Sequence, residues 1–266
     1  WCTDLVMAFK TGVLVHFLRQ DLQHKYAGTW LGSIWSIVYP LVYIAIFILV
    51  FAKIMGAKLA LLGLDSDEYG YSIYLISGML PWTYFSVAVL RISTIFLDKA
   101  GLIGKVQLPL AQLPLSVIGA ELIVFLISLV FFAFFMLWIG FPITWAWLGL
   151  IPVILIQSIF IYAIGLILAV LVIFVRDVKE VTNVVVQIWF WLTPIVYVQS
   201  IIPENFLWWF NINPVVPLLS MYRTIIIDAQ IPTYWTLFAH LAIALTMTYL
   251  ALRFIKGLER DLRDLI

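Results

Sequence analysis

Long apolar runs separated by short polar clusters occupy most of residues 33–254. Runs at about 33–55, 71–93, 112–138, 147–174, 181–198 and 233–254 approach or exceed the roughly 20 apolar residues a helix needs to cross the ~30 Å hydrocarbon layer of a bilayer. They predict six spans. The third and fourth are long enough to tilt or project, and the fifth is barely long enough. Ahead of them, Leu5, Phe9, Val13 and Phe17 recur at helical spacing, with Lys10, Arg19, Gln20 and Gln23 off that stripe. This predicts an amphipathic helix over 4–27, on the membrane surface or packed against other cytoplasmic parts. Residues 200–230 are apolar and aromatic, but Pro203, Pro214 and Pro217 interrupt any continuous helix. Such a segment enters a membrane only where protein or water satisfies its backbone, so it reads as a re-entrant or interfacial helical pair. No repeat or linker divides the chain, and 1–266 reads as a single transmembrane domain.

Composition agrees: 65% of the chain is hydrophobic and 11% charged, against about a quarter charged in soluble domains. The class is an all-α integral membrane protein. A net charge of +1 gives no electrostatic footprint for nucleic acid. Cys2 is the single cysteine, which excludes an intrachain disulfide and a cysteine metal cluster. The chain opens at Trp1 rather than Met, pointing to upstream residues, and no signal peptide is visible. With six spans and both ends in the cytoplasm, twelve of the fifteen Lys and Arg fall on the inner side, and Lys53, Lys58 and Arg223 fall outside. A seventh span at 200–230 would weaken this positive-inside asymmetry, so that pair is placed on the outer face.

Chemistry-bearing residues are scarce in the spans. Glu121 and His240 lie on antiparallel spans at different depths, so they do not read as a pair. Glu121 reads as a carboxylate near the inner interface bonded to a neighbouring helix, and His240 lacks the partners of a metal site or proton relay. GLIGKV at 101–106 departs from GxxxxGK[ST] and should not cradle ATP. No metal, no cofactor and no covalent catalysis is expected in this chain. A transporter or channel built this way draws its energy elsewhere, or uses none.

One pattern exceeds what lipid requires. Trp35, Tyr39, Tyr43, Phe47 and Phe51 recur every fourth residue. Four helical residues advance about 400°, so the ridge drifts about 40° per step along about 24 Å. Interfacial anchoring accounts for its ends, and helix packing accounts for any such row. The tyrosines also suit sugar rings, whose C–H faces lie on aromatic rings while phenolic hydroxyls meet the rim. Trp189, Trp191 and Tyr197 on the fifth span offer a second wall. Trp208, Trp209 and Phe210 form a lid or an anchor at the headgroups.

Several segments together resemble the membrane subunits of type-2 ABC exporters that move polysaccharides. LVHFLRQDLQHKYAGTWLGSIWSIVYPL (14–41) resembles the family's surface helix, Tyr–x–Gly turn and Leu–Gly–x–x–Trp entry to the first span. GMLPWTYF (78–85) resembles its Gly–x–x–Pro–Trp, and IGKVQLPLAQLPL (103–115) its Lys–Val–x–x–Pro connection. VRDVKEVTNVVVQIWFWLTPIVY (175–197) and NPVVPLLSMYR (213–223) resemble its Arg–Asp loop, fifth span and Asn–Pro–x8–Arg segment. The matches fall in order. The resemblance implies a homodimer of six-helix subunits in the bacterial inner membrane, two separate ATPase subunits carrying ATP and Mg, and a lipid-linked polysaccharide as cargo (O antigen, teichoic acid or capsule).

Within that frame the connection 94–111, with Asp98, Lys99, Lys105 and Gln107, and the Arg176–Asp177 loop are expected to face the ATPase. Lys25, Arg91 and Lys99 are candidates for the carrier pyrophosphate, although cations at that level also satisfy topology alone. Rival readings are an exporter of a drug or free lipid with the same fold, a membrane-bound transferase acting on lipid-linked sugars, and a proton-coupled flippase.

Overall fold

The computed structural model of the chain describes residues 34–50, 69–103, 109–198, 203, 205 and 207–265. The predicted 4–27 helix lies outside them, as do Lys25, Phe51, Lys105, Gln107 and the Tyr43 side chain. The described residues fold into helices α1 (Trp35–Phe47), α2 (Gly70–Ser93), α3 (Ile95–Asp98), α4 (Ala100–Ile103), α5 (Leu113–Trp138), α6 (Leu150–Phe174), α7 (Val178–Trp191), α8 (Leu207–Ile212), α9 (Val215–Ile226) and α10 (Tyr234–Leu265). Single 3-10 turns at Leu110–Gln112 and Trp145–Gly149 lead into α5 and α6.

Four helical stretches, Gly70–Ser93, Leu110–Trp138, Trp145–Phe174 and Tyr234–Leu265, are long and apolar enough to cross a membrane. Tyr69, just ahead of α2, meets Phe135 near the end of α5, their rings 5.9 Å apart. Arg91, at the end of α2, pairs with Glu121 in the first half of α5. These two helices therefore run antiparallel. Gly149 lies beside both Ile225 and Ile231, so α6 and α10 begin at the same end of the bundle. That end, where α2 also begins, is called the upper end here. Exposed Trp138, Trp145, Tyr234 and Trp235 ring it, as aromatic side chains do at a headgroup boundary.

α2 and α6 form the central pair, flanked by α5, α7 and α9, while α1 lies on α5 and α10 on α6. Gly165 sets the closeness of the central crossing. A Cβ there would lie 2.7 Å from Ile92 Cγ2, and small residues are what let helices approach within a bilayer. One chain of buried polar groups ties three helices of this core together, as burial demands. Tyr222 of α9 donates its hydroxyl to Gln157 Oε1 at 2.6 Å, and Gln157 Nε2 donates to the Pro81 carbonyl of α2 at 2.7 Å.

Two helices end elsewhere than the predicted spans do. The fifth was expected to be helical to 198, but α7 ends at Trp191 and 192–198 is irregular. Pro194 explains the stop: it has no N–H to donate, and its ring pushes the preceding Thr193 away from helical angles. The expected sixth span, about 233–254, lies within the longer α10, which continues to Leu265. Its charged end carries Ile255 and Leu262 buried on one face and an Arg263–Glu259 pair at 3.1 Å on the helical surface. At 32 residues, α10 is about 48 Å long, about 18 Å more than the hydrocarbon layer. In the first span, the helix runs to Phe47 and continues as a π turn over 48–50.

Candidate functional site

The irregular run 192–198 stands at the upper end of α7. Four of its consecutive carbonyls each accept a hydrogen bond from a side chain of another helix. Arg223 of α9 donates from Nη1 to Pro194 at 2.8 Å and from Nη2 to Ile195 at 3.0 Å. Tyr71 and Tyr74 of α2 donate their hydroxyls to Val196 at 2.5 Å and Tyr197 at 2.9 Å. The guanidinium carbon of Arg223 also lies 3.7 Å from the centre of the Tyr74 ring, a cation–π contact. Arg223 reaches this position across Gly78, where a Cβ would come within 2.8 Å of Nη2.

A second anchor lies one step earlier in the chain. Asn213, buried between α8 and α9, donates from Nδ2 to Thr193 Oγ1 at 3.0 Å and to the Leu192 carbonyl at 3.3 Å. Its Oδ1 accepts from Trp189 Nε1 at 2.9 Å and from the backbone N–H of Val215 at 3.0 Å. The last bond is an Asx-type start to α9. Asn213 therefore fixes the end of α7 and the beginning of α9 together. Non-helical backbone is tolerated at membrane depth only where protein or water satisfies its polar groups. Here Asn213, Arg223, Tyr71 and Tyr74 do so. The spacing Asn–Pro–x8–Arg places the two anchors at opposite ends of one short helix. Sequence reasoning had counted Arg223 as an outer-side cation and as the end of the Asn–Pro–x8–Arg resemblance, without giving it a partner. Its signal was a single ionisable group inside an apolar stretch.

The structure separates the expected aromatic residues. Tyr39 is 53% exposed on the α1 face opposite buried Ile44, and its ring lies 5.2 Å from that of half-buried Trp35. The drift along the ridge turns Phe47 toward the core, against which it packs. On α7, Trp189 packs inward, with ring centres 5.3 Å from Phe85 and 6.4 Å from Trp82, so it supports the wall from behind. Trp191 is 62% exposed beside Phe190. Tyr197 is half-buried and donates its hydroxyl to the Trp191 carbonyl at 2.7 Å, and its ring meets Phe210 edge-on.

At the lower end, exposed Asp98 accepts from Thr94 Oγ1 at 2.8 Å, and Lys99 is half-buried. Arg176 and Asp177 are both exposed. Arg91 is committed to Glu121, whose side chain is 4% exposed. His240 donates from Nδ1 to the Thr236 carbonyl one turn back, at 2.7 Å. Among the described residues, no three His, Cys, Asp or Glu side chains come together as a metal site.

Four helical stretches long and apolar enough to span a bilayer, with an unwound segment among the helices, define the class of a multi-pass membrane protein. Residues 13–227 match the ABC-2 type transporter family, and the chain belongs to it. It is similar to two O-antigen export system permease proteins RfbA of Klebsiella pneumoniae. One is 27% identical over 220 residues, 82% of either chain. The other is 28% identical over 230 residues, 85% of either chain. An O-antigen export system permease protein RfbA of Myxococcus xanthus is 26% identical over 242 residues, 90% of either chain.

Proposed function

We propose that this chain is the membrane subunit of an ATP-driven exporter that moves a lipid-linked polysaccharide across the bacterial inner membrane. The observation that carries this reading is its similarity to O-antigen export permeases across 82% or more of each chain. The working unit is a homodimer joined to two separate ATPase subunits, which hold ATP and Mg. Each subunit has six spans, formed by α1, α2, α5, α6, α7 with its unwound end, and α10. Helices α8 and α9 are the re-entrant pair on the outer face. The lower end is cytoplasmic, as are both termini. The cations Arg91, Lys99, Arg176, Lys179, Arg253, Lys256, Arg260 and Arg263 support that orientation.

Cargo passes along Tyr39 with Trp35 and Tyr43 on α1 and along Trp191 with Tyr197 on α7. Aromatic faces make many weak contacts that are tolerant of sugar identity. Phe47, Phe51 and Trp189 complete or back these walls. The connection 94–111, with Asp98, Lys99, Lys105 and Gln107, and the Arg176–Asp177 loop receive the ATPase. Lys25 and Lys99 meet the carrier pyrophosphate. Arg91 is less suited to that role because it already neutralises Glu121.

Purification from native membranes tests the reading. A nucleotide-binding subunit should co-purify, and deleting the chain should leave lipid-linked glycan undelivered on the inner leaflet. Absence of such a subunit, or normal glycan delivery, would overturn it.

A further inference from the structure

We propose that Arg223 and Asn213 are positioning residues that clamp the upper end of α7 to α9, so that α9 and the aromatic wall at Trp191 and Tyr197 move as one unit. Five observations converge on this. Two side chains from the ends of α9 hold successive parts of one irregular run, Asn213 at 189–193 and Arg223 at 194–195. Among the described residues no backbone hydrogen bond links 192–198 to α9, so these side chains make the polar connection between the two. Tyr74 binds both partners, with its ring against the Arg223 guanidinium and its hydroxyl on the Tyr197 carbonyl. Position 78 is a glycine where a methyl group would strike Nη2 at 2.8 Å. Finally, Tyr197 passes the constraint to Trp191 through its hydroxyl.

A guanidinium offers five N–H donors in a fixed planar fork. Lysine could not replace this arrangement, because an ammonium lacks the planar fork that spans two carbonyls while stacking on a ring.

The transport consequence rests on the exporter reading, so the test has one readout that involves cargo and one that does not. In a Cys2→Ser background, Ile195→Cys places a thiol at a fully buried position. Its labelling by a water-soluble maleimide should be slow, and should rise about tenfold with Arg223→Lys, the factor expected for losing one charge-assisted hydrogen bond. Gly78→Ala should reproduce the rise even though alanine is the better helix former. In an Arg223→Met background Gly78→Ala should add nothing, since the group it strikes is gone. A merely destabilising change at position 78 would add its effect in either background.

Unchanged labelling in both Arg223→Lys and Gly78→Ala, or additive effects in the double variant, would overturn the clamp whatever the cargo is. Glycan export, measured in the same variants assembled with the ATPase, should fall while ATP hydrolysis continues. If labelling rises but export is unaffected, the clamp to α9 stands and the placement of the cargo path beside α7 falls.

Discussion

Ile92 of α2 occupies the space left by the missing side chain of Gly165 on α6. A single methyl group at Gly165 would sit 2.7 Å from Ile92 Cγ2 and 2.9 Å from its Cβ. The obstacle includes the β-carbon, so a rotamer change does not remove it, and the two central helices must part. Gly165→Ala is therefore expected to destabilise the protein by about 1–3 kcal/mol, the usual cost of overpacking. Thermal unfolding in detergent measures this, and Ile92→Ala, itself costly, should cost less in the Gly165→Ala background than in the parent. A Gly165→Ala protein as stable as the parent would mean that α2 and α6 do not cross there.

The Arg91–Glu121 pair joins α2 to α5 below the centre of the bundle. Arg91→Met leaves a buried carboxylate without its guanidinium and should cost about 1–3 kcal/mol. Arg91→Met combined with Glu121→Leu should be less damaging than Arg91→Met alone, because removing both charges removes the desolvation penalty as well. Denaturation midpoints of the three variants decide it. If the double variant is the least stable, the pair contributes more than mutual neutralisation.

Tyr222 is fully buried, and its hydroxyl is the donor to Gln157 Oε1. Tyr222→Phe keeps the ring contact with Phe125 but orphans that amide oxygen. A loss of about 1–3 kcal/mol is expected, read from the unfolding temperature. No loss would show that Gln157 finds another donor.

Tyr39 makes a different prediction, because it is exposed. Tyr39→Leu should change stability by no more than about 0.5 kcal/mol and leave assembly intact, while glycan export slows several-fold. Leu41→Ala, also on the exposed surface of α1, serves as the control and should leave export unchanged. Export at the parental rate in Tyr39→Leu would remove the stacking surface from the mechanism.

How much of this was legible depended on what sets each helix end. For α2, α5 and α6 the limit is the length of an apolar run, and the structured ends fall within three residues of the predicted ones. The end of α7 is different, since its apolar run continues past Trp191. Pro194 marks the break, but the irregular run is sustained by donors 20 to 125 residues away in sequence, and no local pattern names Arg223, Tyr71 or Tyr74 as those partners. The overhang of α10 was readable in the spacing of Ile255, Leu258, Leu262 and Leu265. A count of spans stops at the first charges and so passed over it. The aromatic ridge was visible as a spacing, but its drift divides it: Tyr39 faces out and Phe47 faces the core.

That overhang makes α10 a pointer. It is seated along α6 within the bundle, and its charged end is held as well, with Ile255 and Leu262 buried. For a rod of about 48 Å, a tilt of about 10° about its midpoint shifts the tip by about 4 Å. A rearrangement among the spans too slight to disturb their packing thus becomes, at Leu265, a displacement on the scale of a side chain.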